Sequence, residues 1–335
     1  MQFSRCLVLV LFLLGFVLLG LMVRQIGFQG VAEGFDILGL WLFPYLLLNG
    51  ILVVFDTAAW AVCFPKRPLP LRMWHLILVN LAGSAINNVT PTAAVGGEVV
   101  RVLLLEPFIP RDQTTASVVI KKASGAVEET LYSIIGLLYL AYHLSLPMPL
   151  RLSIGLSLGL IVLGVSGFLI FQYCGLLSKV VERLASINFF RNALMRLMPY
   201  VSSLDAHLTT YYAQHPRRFI ASLALHVMED FARIIKTYVL LLYLLGDLAP
   251  TLAKTAIITV AISTLDLLFF FVPGGIGTYE GARFIVLSAL GVSQVYSLAF
   301  GLLARVDQLA WSGLGLLAYA ACSRYLLPQS RPPDV

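Results

Sequence analysis

Charge is scarce in this chain. Only 12% of its 335 residues are Asp, Glu, Lys or Arg, whereas a soluble domain carries about a quarter. No stretch is both long and polar enough to fold as a separate soluble domain, which excludes a soluble enzyme on a membrane anchor. Cysteine is scarce too. Cys6, Cys63, Cys174 and Cys322 form no CxxC pair and fall within or near the ends of apolar segments. That spacing supports neither a disulfide framework nor a metal site, and a free thiol in such a place behaves as a small hydrophobe. There is no HExxH, no GxSxG and no Walker motif, and no nucleophile–base pair stands out. Without a recognised catalytic motif an enzyme is the less favoured reading but stays open, and no catalytic residue, cofactor or metal is expected.

What the chain has is apolar sequence, 59% of it. A membrane span needs roughly 17–25 apolar residues, and candidates fall at 6–23, 37–56, 74–90, 114–145, 150–174, 218–246, 251–272 and 296–321. The run at 6–23 follows Arg5 and has no A-x-A cleavage site. It exceeds the about 7–15 residues of a signal-peptide core, so it reads as a retained first helix. Segment 114–145 is too long for one straight span, and its first turns, with Lys121 and Lys122, suit a polar cavity or the interface. The expected fold is an all-α polytopic membrane protein of about eight spans.

The net charge of +6 is no nucleic-acid signal in such a chain. Basic residues here mark cytoplasmic loops and anionic lipid. The loop at 57–73 holds Lys66, Arg67 and Arg72; that at 175–217 holds Lys179, Arg183, Arg191, Arg196 and Arg217; the tail holds Arg324 and Arg331. These loops, the tail and the N-terminus with Arg5 are therefore placed in the cytoplasm. Within 175–217, Leu176, Leu177, Val180, Val181 and Leu184 recur at helical spacing. They fit a short helix on the cytoplasmic face or an ordinary connector.

One pattern occurs twice: proline, six residues, glutamate, two residues, arginine. The copies are Pro91, Glu98 and Arg101, and Pro273, Glu280 and Arg283. Proline removes a backbone donor and turns the preceding residue away from helix. Gly96 and Gly97 in the first copy, and Gly274, Gly275, Gly277 and Gly281 in the second, permit close approach or a tight loop. Segments 95–106 and 277–290 are too short to cross and read as half-helices behind the breaks. With the loop charges, the two copies lie in oppositely oriented halves, 1–145 and 150–321. That is an inverted repeat around a midplane site.

Freed backbone groups at a break need partners, which Asn87, Asn88, Thr90 and Thr92 can supply. The N-terminal amides of a half-helix near Val95 favour an anion, and Arg101 adds a fork suited to phosphate. Glu98 and Arg101 are also three apart, so they can simply pair with each other. Asp266 precedes Pro273 by seven residues and can face the same cavity. A third cluster, HVMEDFARIIK, places His226, Glu229, Asp230, Arg233 and Lys236 on one helical stripe. Such a stripe faces either the bundle interior or the cytoplasmic interface. Glu128 and Glu129 after the first break, and Arg305 and Asp307 after the second, complete the candidates.

The run Asn88, Pro91, Gly96, Gly97, Glu98, Arg101 and the later VPGGIGTYEG resemble the flippase-like, lysylphosphatidylglycerol-synthase transmembrane-domain family. The resemblance covers nearly the whole chain and is nearest to free-standing members, among them a hopanoid-biosynthesis-associated membrane protein. It implies movement of lipid between leaflets of the bacterial inner membrane, with membrane lipids and lipid-biosynthesis proteins as partners. The bifunctional enzymes of the family carry a soluble aminoacyl-transferase domain after the membrane part. Here the chain ends at Val335, so aminoacylation is not expected. On this reading Arg101 and Arg283 bind an anionic head group, and Glu98 and Glu280 position those arginines or take part in proton coupling. Two other readings stay open: a membrane-embedded transferase acting on a lipid head group or polyprenyl phosphate, and a scaffold for lipid synthesis.

Overall fold

The computed structural model describes residue 39 and residues 42–65, 71–90, 95–143, 148–186, 191–268 and 277–325. The predicted span at 6–23, Lys66, Arg67, Pro91, Thr92, Pro273, Gly274, Gly275 and Arg331 lie outside the described residues. Among those described there are eleven α-helices and no strand. They are α1 (Leu42–Ala61), α2 (Met73–Val89), α3 (Gly96–Leu105), α4 (Arg111–His143), α5 (Met148–Tyr173) and α6 (Leu176–Ala185). Then follow α7 (Arg191–Gln214), α8 (Pro216–Leu245), α9 (Leu252–Leu268), α10 (Thr278–Ala289) and α11 (Gln294–Tyr325).

Packing divides the chain into two compact units. The first comprises the described parts of Met1–Phe55, Arg72–Pro107 and Met228–Val335. It therefore contains both interrupted segments, α2–α3 and α9–α10. Helix α2 stops where proline chemistry dictates. Thr90, the residue before Pro91, is extended at φ −105°, ψ 144°. Its hydroxyl and its amide both donate to the Ile86 carbonyl, at 2.6 and 2.9 Å, which closes the last turn. Helix α3 then runs for 10 residues and packs against α2. The two backbones nearly touch: a Cβ on Gly97 would lie 1.9 Å from the Gly83 carbonyl oxygen. Without a hydrophobic force between helices in lipid, small residues at such contacts decide how closely helices associate.

Helix α11 packs against both interrupted segments. On α2 its Gly315 leaves no room for a Cβ, which would come 2.5 Å from the Leu81 carbonyl oxygen. Asn88 on α2 donates to the Ser312 hydroxyl at 3.3 Å. On α10 its Gly301 faces the Glu280 backbone. The apolar core of this unit joins Tyr45 of α1, Leu240 and Leu241 of α8, Ile258 of α9, Leu287 of α10 and Leu303 of α11. In it α10 is packed together with α1, α8, α9 and α11.

The second unit holds α4 to α7, the end of α1 and the start of α8. Here one expectation needs correction. The loop predicted from residue 57 begins later, because α1 continues to Ala61. Asp56 does not end the helix, since Lys121 of α4 neutralises it at 2.7 Å. Trp60 donates to the Ser117 hydroxyl at 3.1 Å, and Ser222 to the Ala59 carbonyl at 3.0 Å. The apolar spacing at 176–184 does form a helix, α6. It follows α5 through a bend of 87° at Gly175, whose φ is +57°. Leu152, Leu156, Leu160 and Leu163 of α5 are each more than 60% exposed, an uncovered apolar face suited to acyl chains. By length, hydropathy and low charge, Phe43–Ala61 alone among the described helices meets the full test for a span. Helices α8 and α11 are longer but carry the charges that build the site.

Candidate functional site

The first unit concentrates ionisable side chains where α2–α3 and α9–α10 are interrupted. At the first interruption, Arg101 is 3% exposed and pairs with Glu98 at 2.6 Å. It also donates to the Ser84 hydroxyl at 2.9 Å and the Asn80 carbonyl at 3.4 Å on α2. Asn87 closes the network from α2. Its Oδ1 accepts from the Gly97 amide at 2.7 Å, and its Nδ2 donates to Glu98 Oε1 at 3.3 Å. One of the orphan amides of the α3 N-terminus is thus taken by an amide oxygen rather than left for an anion. Gly96 is buried at the same end.

The second interruption is wired differently. Glu280 and Arg283 are also three apart, but they do not hold each other. Arg283 reaches α9 and donates to both oxygens of Asp266 at 3.0 Å. Glu280 accepts from Arg305 of α11 at 2.5 and 2.9 Å. Glu98 is thus paired with the arginine of its own motif, whereas Glu280 is paired with Arg305 of α11. The Tyr279 ring meets both guanidiniums, with Arg283 at 3.2 Å and Arg305 at 4.5 Å from the centroid, an arrangement that cation–π attraction stabilises. Gly277 caps α10 with φ +77°, a conformation that costs other residues roughly 1–2 kcal/mol.

The stripe on α8 splits by function. Arg233 pairs with Glu229 at 2.9 Å and Asp230 at 2.6 Å on its own helix. Lys236 reaches Asp307 of α11 at 2.5 Å and Asn49 of α1 at 2.7 Å. His226 belongs to the second unit, where its ring lies beside Gly125.

Sequence reading did not single out Tyr279, Asn49, Ser84 or Asn80 as site residues, and it left Lys236 as one member of a stripe. Tyr279 had a signal, adjacency to Glu280 in TYEGAR. Asn49 had another, as an amide inside an apolar run.

One electrostatic feature recurs at both interruptions. The carboxylate of each pair is the more exposed partner: 15% for Glu98 against 4% for Arg101, 35% for Asp266 against 9% for Arg283, and 19% for Glu280 against 1% for Arg305. The guanidiniums lie behind, already neutralised. A ligand therefore meets acid first and reaches an arginine only by taking its carboxylate away. An ammonium group can do the second while a phosphate on the same molecule does the first.

The sequence from residue 7 to residue 314 matches the family described as lysylphosphatidylglycerol synthase TM region. No curated protein and no solved structure matches the chain.

Proposed function

The chain belongs to the lysylphosphatidylglycerol synthase transmembrane-region family, and from that premise we propose that it moves a polar-headed lipid between the leaflets of the bacterial inner membrane. The halves 1–145 and 150–321 form an inverted repeat, with both termini in the cytoplasm and 175–217 as a cytoplasmic connector. The head group enters at the interruptions α2–α3 and α9–α10 while its tails stay in lipid.

The supporting observation is the pairing of Asp266 with Arg283. Both guanidinium nitrogens are used, yet Asp266 remains about a third exposed. A head group bearing a phosphate and an amine exchanges with this pair: its ammonium goes to Asp266 and its phosphate takes the bidentate fork of Arg283. Exchange keeps every buried charge compensated, whereas simple removal of a partner does not. Glu280 with Arg305 offers the same exchange one turn away.

The test is leaflet distribution of lipid in cells carrying variants. Hydrogen bonds to charged groups contribute about 1.5–3 kcal/mol, so Arg283→Gln and Asp266→Asn should each slow head-group exposure by roughly tenfold to a hundredfold. Unchanged exposure in stably expressed variants would reject the site. Mass spectrometry of the same cells separates translocation from head-group synthesis. Translocation leaves the lipid species present and misplaced; a transferase leaves one species missing.

A further inference from the structure

Among the described residues of the first unit, five cations are held by carboxylates, and four of them are arginines. An arginine cannot lose its proton in a protein, so in those four cases only the carboxylate can change its charge. Lys236 with Asp307 is the exception, because a buried lysine and a buried aspartate both titrate. Asp307 is 6% exposed. Its Oδ2 accepts from Lys236 Nζ at 2.5 Å. Its Oδ1 is buried and has no hydrogen-bond partner among the described residues. Native proteins seldom leave a buried acceptor so, and Oδ1 is the oxygen that can take a proton without first displacing Lys236.

Lys236 is prepared for that event. Its ammonium keeps the Asn49 carbonyl oxygen at 2.7 Å and the Tyr45 ring at 4.8 Å, so neutralising Asp307 does not strand it. The surrounding charges come from every packed element. Arg233 on α8 and Arg283 on α10 act on Lys236, and Asp307 in turn acts on Tyr45 of α1 and Tyr279 of α10. Asp266 of α9 acts on Tyr279 as well. From α2, Leu81, Ala85 and Asn88 meet α11 with uncharged groups. On α11 itself, Arg305 grips Glu280 two residues before Asp307. Helix α11 thus ties α10 with one ion pair and α8 with the next.

We infer that Asp307, held by Lys236, is a proton-binding site that couples lipid movement to the proton gradient. Its use in coupling rests on the translocase reading. In the loading step an O–H bond of a hydronium ion breaks, an O–H bond forms at Oδ1, and water is left behind. The carboxylate goes from −1 to neutral, and the Oδ2 contact with Lys236 weakens from ion pair to charge–dipole. Release to the opposite side restores the pair. The change frees α11 from α8 while Arg305 still carries α10.

Infrared difference spectra of the full chain in lipid vesicles, taken across a pH series, read the proton directly. The wild type's protonated-carboxyl absorption should contain a titrating component that is absent from Asp307→Asn and kept in the exposed control Glu182→Gln. Should Asp307→Asn fold poorly, the double variant Lys236→Gln with Asp307→Asn removes both charges together and should likewise lack the component. In the same vesicles the leaflet ratio of the transported lipid should shift by up to about tenfold per unit of imposed pH gradient, and Asp307→Asn should abolish the shift. Titrating carboxyl spectra that are the same in the wild type and in both Asp307 variants overturn the proton site. A component that behaves as expected while no lipid moves supports the proton site and rejects the translocase reading.

Discussion

Gly97→Val is expected to abolish accumulation of the folded chain. The first atom of any side chain at position 97 would sit 1.9 Å from the Gly83 carbonyl oxygen and 2.6 Å from Asn87 Oδ1. The nearer obstacle is backbone, so no rotamer change relieves it, and α2 and α3 must separate. Separation breaks the Asn87 bridge to the Gly97 amide and to Glu98. It also pulls Arg101 from Ser84 and Asn80. Overpacking alone costs about 1–3 kcal/mol, and the lost buried network adds to it. Fluorescence-detected size-exclusion of the detergent extract checks this, with Gly97→Ala as the milder step. Gly281→Ala is the contrast. It lies in the second motif, yet a Cβ there meets nothing within 4 Å, and its melting temperature should match that of the wild type.

Arg305→Met should be the most damaging single charge removal. Arg305 is 1% exposed and among the largest fully buried side chains. It holds both oxygens of Glu280, the Oε1 of Gln308 at 2.6 Å and one face of Tyr279. Methionine approximates its volume but leaves Glu280 without a counter-charge, and removing one partner of a buried pair costs about 3–5 kcal/mol. Adding Glu280→Gln should recover most of that loss, because replacing both partners leaves no stranded charge. Thermal unfolding of the four forms reads the coupling. Additive losses would show that the two residues do not act as a pair.

The helix ends at the interruptions were legible because their causes are local. Half-helices expected at 95–106 and 277–290 are observed at Gly96–Leu105 and Thr278–Ala289. Proline, glycine and the return of apolar periodicity act within a few residues, and Thr90 shows the pre-proline effect directly. Partner choice was not legible. Two identical spacings, Glu98 with Arg101 and Glu280 with Arg283, give one internal pair and one exchanged set. The difference comes from Asp266 on α9 and Arg305 on α11, which a helix-local rule cannot see. The end of α1 was misjudged for a related reason. Asp56 looks like a terminus in sequence, and its neutraliser, Lys121, is remote along the chain. Gly83 was overlooked because its role appears only once Gly97 lies against it.

The reading of this family member as a lipid translocase stands on whether the purified chain moves a head group without altering it. The decisive measurement places the full chain in vesicles holding a fluorescent phospholipid with a free amine, and follows its loss to a quencher that cannot cross the bilayer. Translocation predicts that more than the outer-leaflet share is quenched by the wild type and only that share by Arg283→Gln, with the lipid chemically unchanged. Quenching limited to the outer leaflet in the wild type, equal to that of protein-free vesicles, would contradict it.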